Sequence, residues 1–239
     1  MRLPGQTKPR QAGLDRATSE WGSEMRKLAI GLVTLLIGAL ILGAAACGGA
    51  AKGTAEWHYN QGNELSDQGR YNEAIGEYNK AVELDPDLAL AYNNRGIAYA
   101  DLGEYEQAIA DYTKAIELDP NLAMAYNNRG IAYGDLGEYQ KAIADYNKAI
   151  DLDRNYANAH YNRGVAYANL GEYEQAIADC DKAIDLDSNL ALPFLVRGLL
   201  HAELGEEAKA IADLEKAITL TDDPQLIEMA TEQIEELRD

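Results

Sequence analysis

The chain has 239 residues, 47% apolar and 26% charged, with a formal charge of −19. Residues 1–47 hold six Lys/Arg and three Asp/Glu, which leaves 15 basic and 37 acidic residues in 48–239, a net of −22. A body this acidic repels nucleic acid and anionic headgroups, so both are set aside as its partners, and two cysteines are too few for a disulfide framework.

From the N-terminus, residues 1–24 show no apolar periodicity and fit no export signal, so translation is expected to start at Met25 with 1–24 misassigned or without order. Met25-Arg26-Lys27 then leads into "LAIGLVTLLIGALILGAAAC", Leu28 to Cys47. A short basic stretch, an apolar run and small residues make a secretory signal pattern over 25–47. The ending, Ala44-Ala45-Ala46-Cys47, resembles the lipobox of bacterial lipoproteins, with Ala44 where leucine is usual. That resemblance implies lipidation at Cys47. Leu28–Ala46 is 19 residues, also enough to span a bilayer, so an uncleaved anchor and plain secretion remain alternatives. With Arg16, Arg26 and Lys27 before the run, each of these sends the body out of the cytoplasm. The expected location is therefore extracytoplasmic and membrane-anchored, in the cell envelope. Gly48–Thr54 is a flexible tether whose seven residues reach about 25 Å at most.

Beyond it the chain repeats itself. "YNNRGIAY" occurs at Tyr92–Tyr99 and again at Tyr126–Tyr133, and "YNRGVAY" at Tyr161–Tyr167. Aligned, the copies give five units at a period of 34 residues: 55–88, 89–122, 123–156, 157–190 and, one residue shorter, 191–223. That period is the signature of a helix–turn–helix solenoid. In the second unit Tyr92, Gly96 and Tyr99 fall on one face of a helix. Gly96 costs about 1 kcal/mol against alanine in that helix, tolerable only where another helix comes close. Ala108, Ile109, Tyr112, Ala115, Ile116 and Leu118 form the apolar stripe of a second helix. Gly103 suits the left-handed end of the first, Glu104 opens the second beside its positive end, and Pro120 in "LDP" closes the unit. Pro224–Asp239, with Leu226, Ala230, Ile234 and Leu237 on one side, reads as a capping helix.

These residues resemble the tetratricopeptide repeat family, over 55–224. The expected fold is all-α: a right-handed α-solenoid of five such repeats plus the C-terminal cap. Of the 15 tyrosines, twelve stand at repeat positions 4, 11, 17 or 24 and are assigned to the core. Arg95, Arg129, Arg163 and Arg197 stand at position 7 and Asp111, Asp145, Asp179 and Asp213 at position 23. In the first unit both change together, to Gln61 and Glu77, so each Arg is expected to pair with an acid across helices. A ligand-binding row of arginines is the alternative. His58, His160 and His201 occupy core-facing positions. No metalloprotease, phosphate-loop, paired-cysteine or nucleophile motif is present, so no enzyme activity and no cofactor is expected.

The resemblance places a concave groove at positions 2, 5, 6, 9, 12 and 13 of each first helix. Position 6 is Asn60, Asn94, Asn128 and Asn162, similar to the asparagine ladders with which some repeat superhelices hold an extended peptide; an amide both donates and accepts. Position 5 is Tyr59, Asn93, Asn127 and Tyr161. Around them lie Leu90, Ile97, Met124, Ile131 and Val165, with Asp101 and Asp135. The surface favours an extended peptide with apolar side chains and some positive charge. Family members that clamp acidic C-termini carry lysine and arginine here, whereas Met124 and Asn128 hold those places in the third unit. The expected function is a non-enzymatic scaffold for a protein or peptide. A substrate-positioning subunit of an envelope enzyme or assembly complex, or a self-assembling structural protein, are the alternatives.

Overall fold

The structure, a computed structural model, describes residues 50–238. Eleven helices and no strand occur among the described residues. They alternate as α1 (Ala55–Asp67), α2 (Tyr71–Leu84), α3 (Ala89–Asp101), α4 (Tyr105–Leu118), α5 (Ala123–Asp135), α6 (Tyr139–Leu152), α7 (Ala157–Asn169), α8 (Tyr173–Leu186), α9 (Ala191–Glu203), α10 (Glu207–Thr219) and α11 (Pro224–Arg238). Odd helices open each unit and even helices close it, and each helix packs on the next in sequence. Successive first helices also touch one another, α1 with α3, α3 with α5, α5 with α7 and α7 with α9. The first helices thus line the closer-packed, inner side. Cys47 and the apolar run before it lie outside the described residues, within which no helix is long and apolar enough to cross a membrane.

Two devices set the angle within each unit. Gly103 takes φ +78°; its N–H donates to the Ala100 carbonyl and the Glu104 N–H to that of Tyr99. This crossed pair of bonds closes the helix end, and only glycine adopts the required φ without strain. Gly96 meets the second requirement. A Cβ there would stand 2.7 Å from Cε1 of Tyr112, so the glycine exists to let the α4 ring lie against the α3 backbone. Between units, Asp119 ends α4 and its Oδ1 accepts from the Asn121 N–H at 3.0 Å, a turn that starts the next unit beside Pro120.

The core consists mainly of alanine. Ala74, Ala108, Ala142, Ala176 and Ala210 are fully buried, as are Ala81, Ala115, Ala149 and Ala183. One side chain per unit stands in the remaining gap, and it is large in every unit but the fourth: Tyr78, Tyr112, Tyr146, Cys180 or Leu214. Among the repeated tyrosines only those at position 24 are fully inside; those at positions 4, 11 and 17 are half-buried. Towards the C-terminus the core turns aliphatic, with Leu195, Leu199 and Leu214 packed on Leu226, Ala230 and Ile234 of α11. The outer face of that cap is exposed Glu228, Glu232, Glu235 and Glu236. At the other end the inward alanines of later units, Ala91 and Ala98 in the second, give way to Trp57 and exposed Glu64. Both ends of the stack are therefore closed by polar or bulky side chains.

Candidate peptide-binding groove

Every unit from the second onward contains the same polar clamp. Arg95 Nε and Nη2 donate to the two oxygens of Asp111 at 2.7 and 2.6 Å, the planar, two-pronged pairing that favours arginine over lysine. Arg129 repeats it with Asp145, Arg163 with Asp179 and Arg197 with Asp213. The carboxylate beside each guanidinium makes it hold its proton more tightly. The third prong reaches back into the preceding unit: Arg95 to Asn79 at 2.6 Å, Arg129 to Thr113 at 3.0 Å, Arg163 to Asn147 at 2.5 Å, and Arg197 to Asp181. The sequence pointed to the Asp partner; the inter-unit contact at position 25 was not foreseen. In the first unit, where position 7 is Gln61, Glu77 takes His58 and Lys80 instead. The arginines are scaffold.

The histidines are also occupied by carboxylates. His58 Nδ1 lies 2.6 Å from Glu77, His160 Nδ1 3.3 Å from Asp179 and His201 Nδ1 2.5 Å from Glu206. No metal-binding group of three or more ligands occurs among the described residues. Cys180 is buried and unpaired, and burial pushes its thiol above the ordinary range.

The asparagines require a correction. Asn93, Asn127, Asn128 and Tyr161 are interior rather than groove-lining, at 1%, 4%, 8% and 6% exposure. The cause is the direct contact between first helices, which brings position 5 of one unit against position 6 of the next. Asn162 Nδ2 donates to Asn127 Oδ1 at 3.0 Å, Asn127 to Asn128 at 3.4 Å, and Asn128 to Asn93 at 3.2 Å. Asn93 donates to Asn94 at 2.9 Å, and Asn94 to both Asn63 and the Tyr59 hydroxyl. The amides form one head-to-tail chain running through four units, so buried polar groups on the inner side are satisfied by one another. Asn94, Asn162 and Tyr59 remain half-buried at its edge, and Asn60 is exposed. At the last junction the chain gives way to apolar contact. Tyr161 packs with Cys180, Val196 and Leu200, filling volume that Cys180 leaves where the first three units have tyrosine.

What faces water on the inner side is a different set. At 3.6 residues per turn, Leu90, Ile97 and Asp101 fall within about 20° of one line along α3, and Met124, Ile131 and Asp135 along α5. Leu90 and Met124 are 40% and 43% exposed; Ile97, Ile131 and Val165 are half-buried. Asp101 Oδ2 is shut off from water with no hydrogen-bond partner, and burial pushes the carboxyl up to about 6. The groove is thus apolar near the starts of the first helices and acidic at their ends.

With this geometry, two family descriptions match the chain. "TPR repeat" covers residues 62–103 and 132–171, and "Tetratricopeptide repeat" covers 89–122, 111–144, 157–190 and 194–224. The chain belongs to the tetratricopeptide repeat family. Among solved structures, MamA is 30% identical with a TM-score of 0.61, the match covering 66% of this chain and 93% of MamA. YrrB, described as a tetratricopeptide protein with an unusual peptide-binding site, is 26% identical with a TM-score of 0.59, covering 76% and 93%. PilF of Pseudomonas aeruginosa shares the fold at 19% identity, with a TM-score of 0.67 and coverage of 77% and 88%. A comparison with curated protein sequences gives no match. The tetratricopeptide scaffold is the fold on which the functional reading rests.

Proposed function

We propose that this tetratricopeptide protein is a non-enzymatic interaction scaffold that holds an extended partner segment across the inner face of its first helices, outside a bacterial membrane. The observation that carries the reading is the exposure of Leu90 and Met124, 40% and 43%, in register on neighbouring helices. Large apolar side chains left in water in a row favour a docking surface over random exposure. Each arginine of the clamp is committed to an aspartate of its own unit, which fits a scaffold role for the repeated polar side chains. The membrane placement rests on the basic start, apolar run and Cys47 in the sequence.

The test is crosslinked copurification from membranes, comparing wild type with Leu90→Asp combined with Met124→Asp. Both side chains are exposed, so the fold is retained, which circular dichroism checks. Partners captured by wild type and lost by the variant are expected. An unchanged partner set would overturn the groove.

A further inference from the structure

The groove is apolar at one end of the first helices, and the chain's own apolar run arrives at that same end. Among the described residues six large apolar side chains are exposed. Three of them, Leu84, Leu90 and Met124, stand where a second helix ends or a first helix begins. The chain enters α1 at this end, Ala50 lying five residues before Ala55. Before Ala50 come 49 residues that include Leu28–Ala46, a run of 19 without a charged side chain. Until that run reaches a membrane it is a large apolar surface in water, and burial against other apolar surface is favourable.

The groove suits the run better than the end of the stack does. On α1, exposed Glu64 stands where later units have buried Ala98, Ala132 and Ala166, so a run packed there would cover a carboxylate. The inner side instead offers Leu90, Ile97, Met124 and Ile131 on neighbouring helices. The tether reaches them. Gly48–Thr54, seven residues, extends about 25 Å at most, and helices in contact have axes about 8–10 Å apart. Two such steps separate α1 from α5, so Ala46 can come level with Met124. The 19 residues of the run measure about 28 Å as a helix and about 60 Å extended, and either length crosses both units. Charge acts in the same direction. Residues 1–47, with six basic and three acidic side chains, carry a net of +3 against −22 for 48–239. The tether also favours the chain's own run over that of a second copy, because it holds the run at an effective concentration of about millimolar.

Resting on the scaffold reading above, we propose that Leu28–Ala46 occupies its own groove, on Leu90, Ile97, Met124 and Ile131, until the run enters a membrane. The occupied groove is closed to partners, and transfer of the run into a bilayer opens it. Partner capture is thereby confined to chains that have reached the membrane.

The experiment is photo-crosslinking of the full chain, synthesised in a translation mixture free of membranes. A benzophenone side chain is placed at Met124 or, as a control, at exposed Glu228 on the cap, and crosslinked peptides are identified by mass spectrometry. The Met124 site is expected to join residues 28–46 of the same chain at least tenfold more than the Glu228 site does. Vesicles of phosphatidylethanolamine and phosphatidylglycerol, present during synthesis, should reduce that crosslink at least fivefold. Leu36→Asp with Ile41→Asp, which lie outside the folded body, should abolish it. Equal labelling from the two sites would overturn the inference. So would a crosslink found only between two chains, which makes a second copy the occupant, or one that vesicles leave unchanged. If Met124 does not reach the run while the Leu90→Asp, Met124→Asp variant still loses its membrane partners, this inference fails and the scaffold reading stands. If both experiments are negative, both fail.

Discussion

Arg129→Leu is the sharpest probe of what holds the stack together. The wild-type side chain donates twice to Asp145, at 2.7 and 2.8 Å, and once to Thr113 of the preceding unit, at 3.0 Å. Leucine removes all three donors and leaves Asp145, whose side chain is 10% exposed, as a nearly buried carboxylate with no counter-ion. Breaking one side of a buried pair costs about 3–5 kcal/mol. The 17% exposure of Arg129 lets water answer part of that charge, so about 2–4 kcal/mol is expected here. Urea unfolding followed by far-UV circular dichroism reads this as a lower midpoint. Because Thr113 belongs to another unit, the transition should also become less steep as the halves uncouple. Adding Asp145→Leu removes the stranded charge and should recover most of the loss, to within about 1–2 kcal/mol of wild type. A single-variant loss below about 0.5 kcal/mol, the size of an ordinary surface change, would refute the clamp. So would a double variant less stable than the single.

Three further outcomes follow from the same geometry. Asn128→Ala deprives buried Asn93 of a donor and Asn127 of an acceptor, and should lower unfolding stability by about 1–3 kcal/mol; a neutral result would mean the amide chain is incidental. Gly96→Ala drives a Cβ to 2.7 Å from the Tyr112 ring, whereas at Gly164 the nearest atom, the Ala176 carbonyl oxygen, is 3.1 Å away and the position-24 residue is Cys180. The Gly96 variant should therefore cost about 1–3 kcal/mol through overpacking and lower Tm by more than Gly164→Ala. Asp101 is held near 6 by burial, above the unfolded value, so the folded state binds more protons between about pH 4 and 6. Stability should fall as pH rises through that window and stay lower above it. Asp101→Asn should flatten the dependence and gain about 1 kcal/mol at neutral pH, the full shift being discounted for the water still reaching the carboxyl.

The period of 34 made the fold legible. Gly96 and Gly103 could be assigned distinct roles because each recurs at its own position in every unit, and the pairing of arginine with aspartate was visible where both change together, at Gln61 and Glu77. The groove was less legible, since alignment within a unit cannot show what touches across units. Asn94, Asn128 and Asn162 line up as a ladder facing a ligand, yet Asn128 and Asn162 are bonded to Asn93 and Asn127 one unit back. A signal was present: position 5 of one unit and position 6 of the next read Asn–Asn at two junctions and Tyr161–Val196 at the last. Tyr161 was likewise placed in the groove, though the missing bulk at Cys180 in the same unit foretold its burial. Alignment marked the acids Asp101 and Asp135 as inner-side residues, but the enclosed oxygen of Asp101 depends on three-dimensional packing alone.

The amide chain also makes the stack a spring of uneven stiffness. Stretching a solenoid pries its inner edge open, and hydrogen bonds yield abruptly once lengthened by a few tenths of an ångström. The first three junctions are latched on that edge by asparagine or tyrosine groups, whereas Tyr161 against Val196 and Leu200 makes an apolar seam that can slide while keeping contact. Under load the seam should give first, so residues 191–238 swing as one flap while 55–190 hold their curvature. A single-molecule pulling trace in which the N-terminal units yield before that flap would show the latches to be the weaker element.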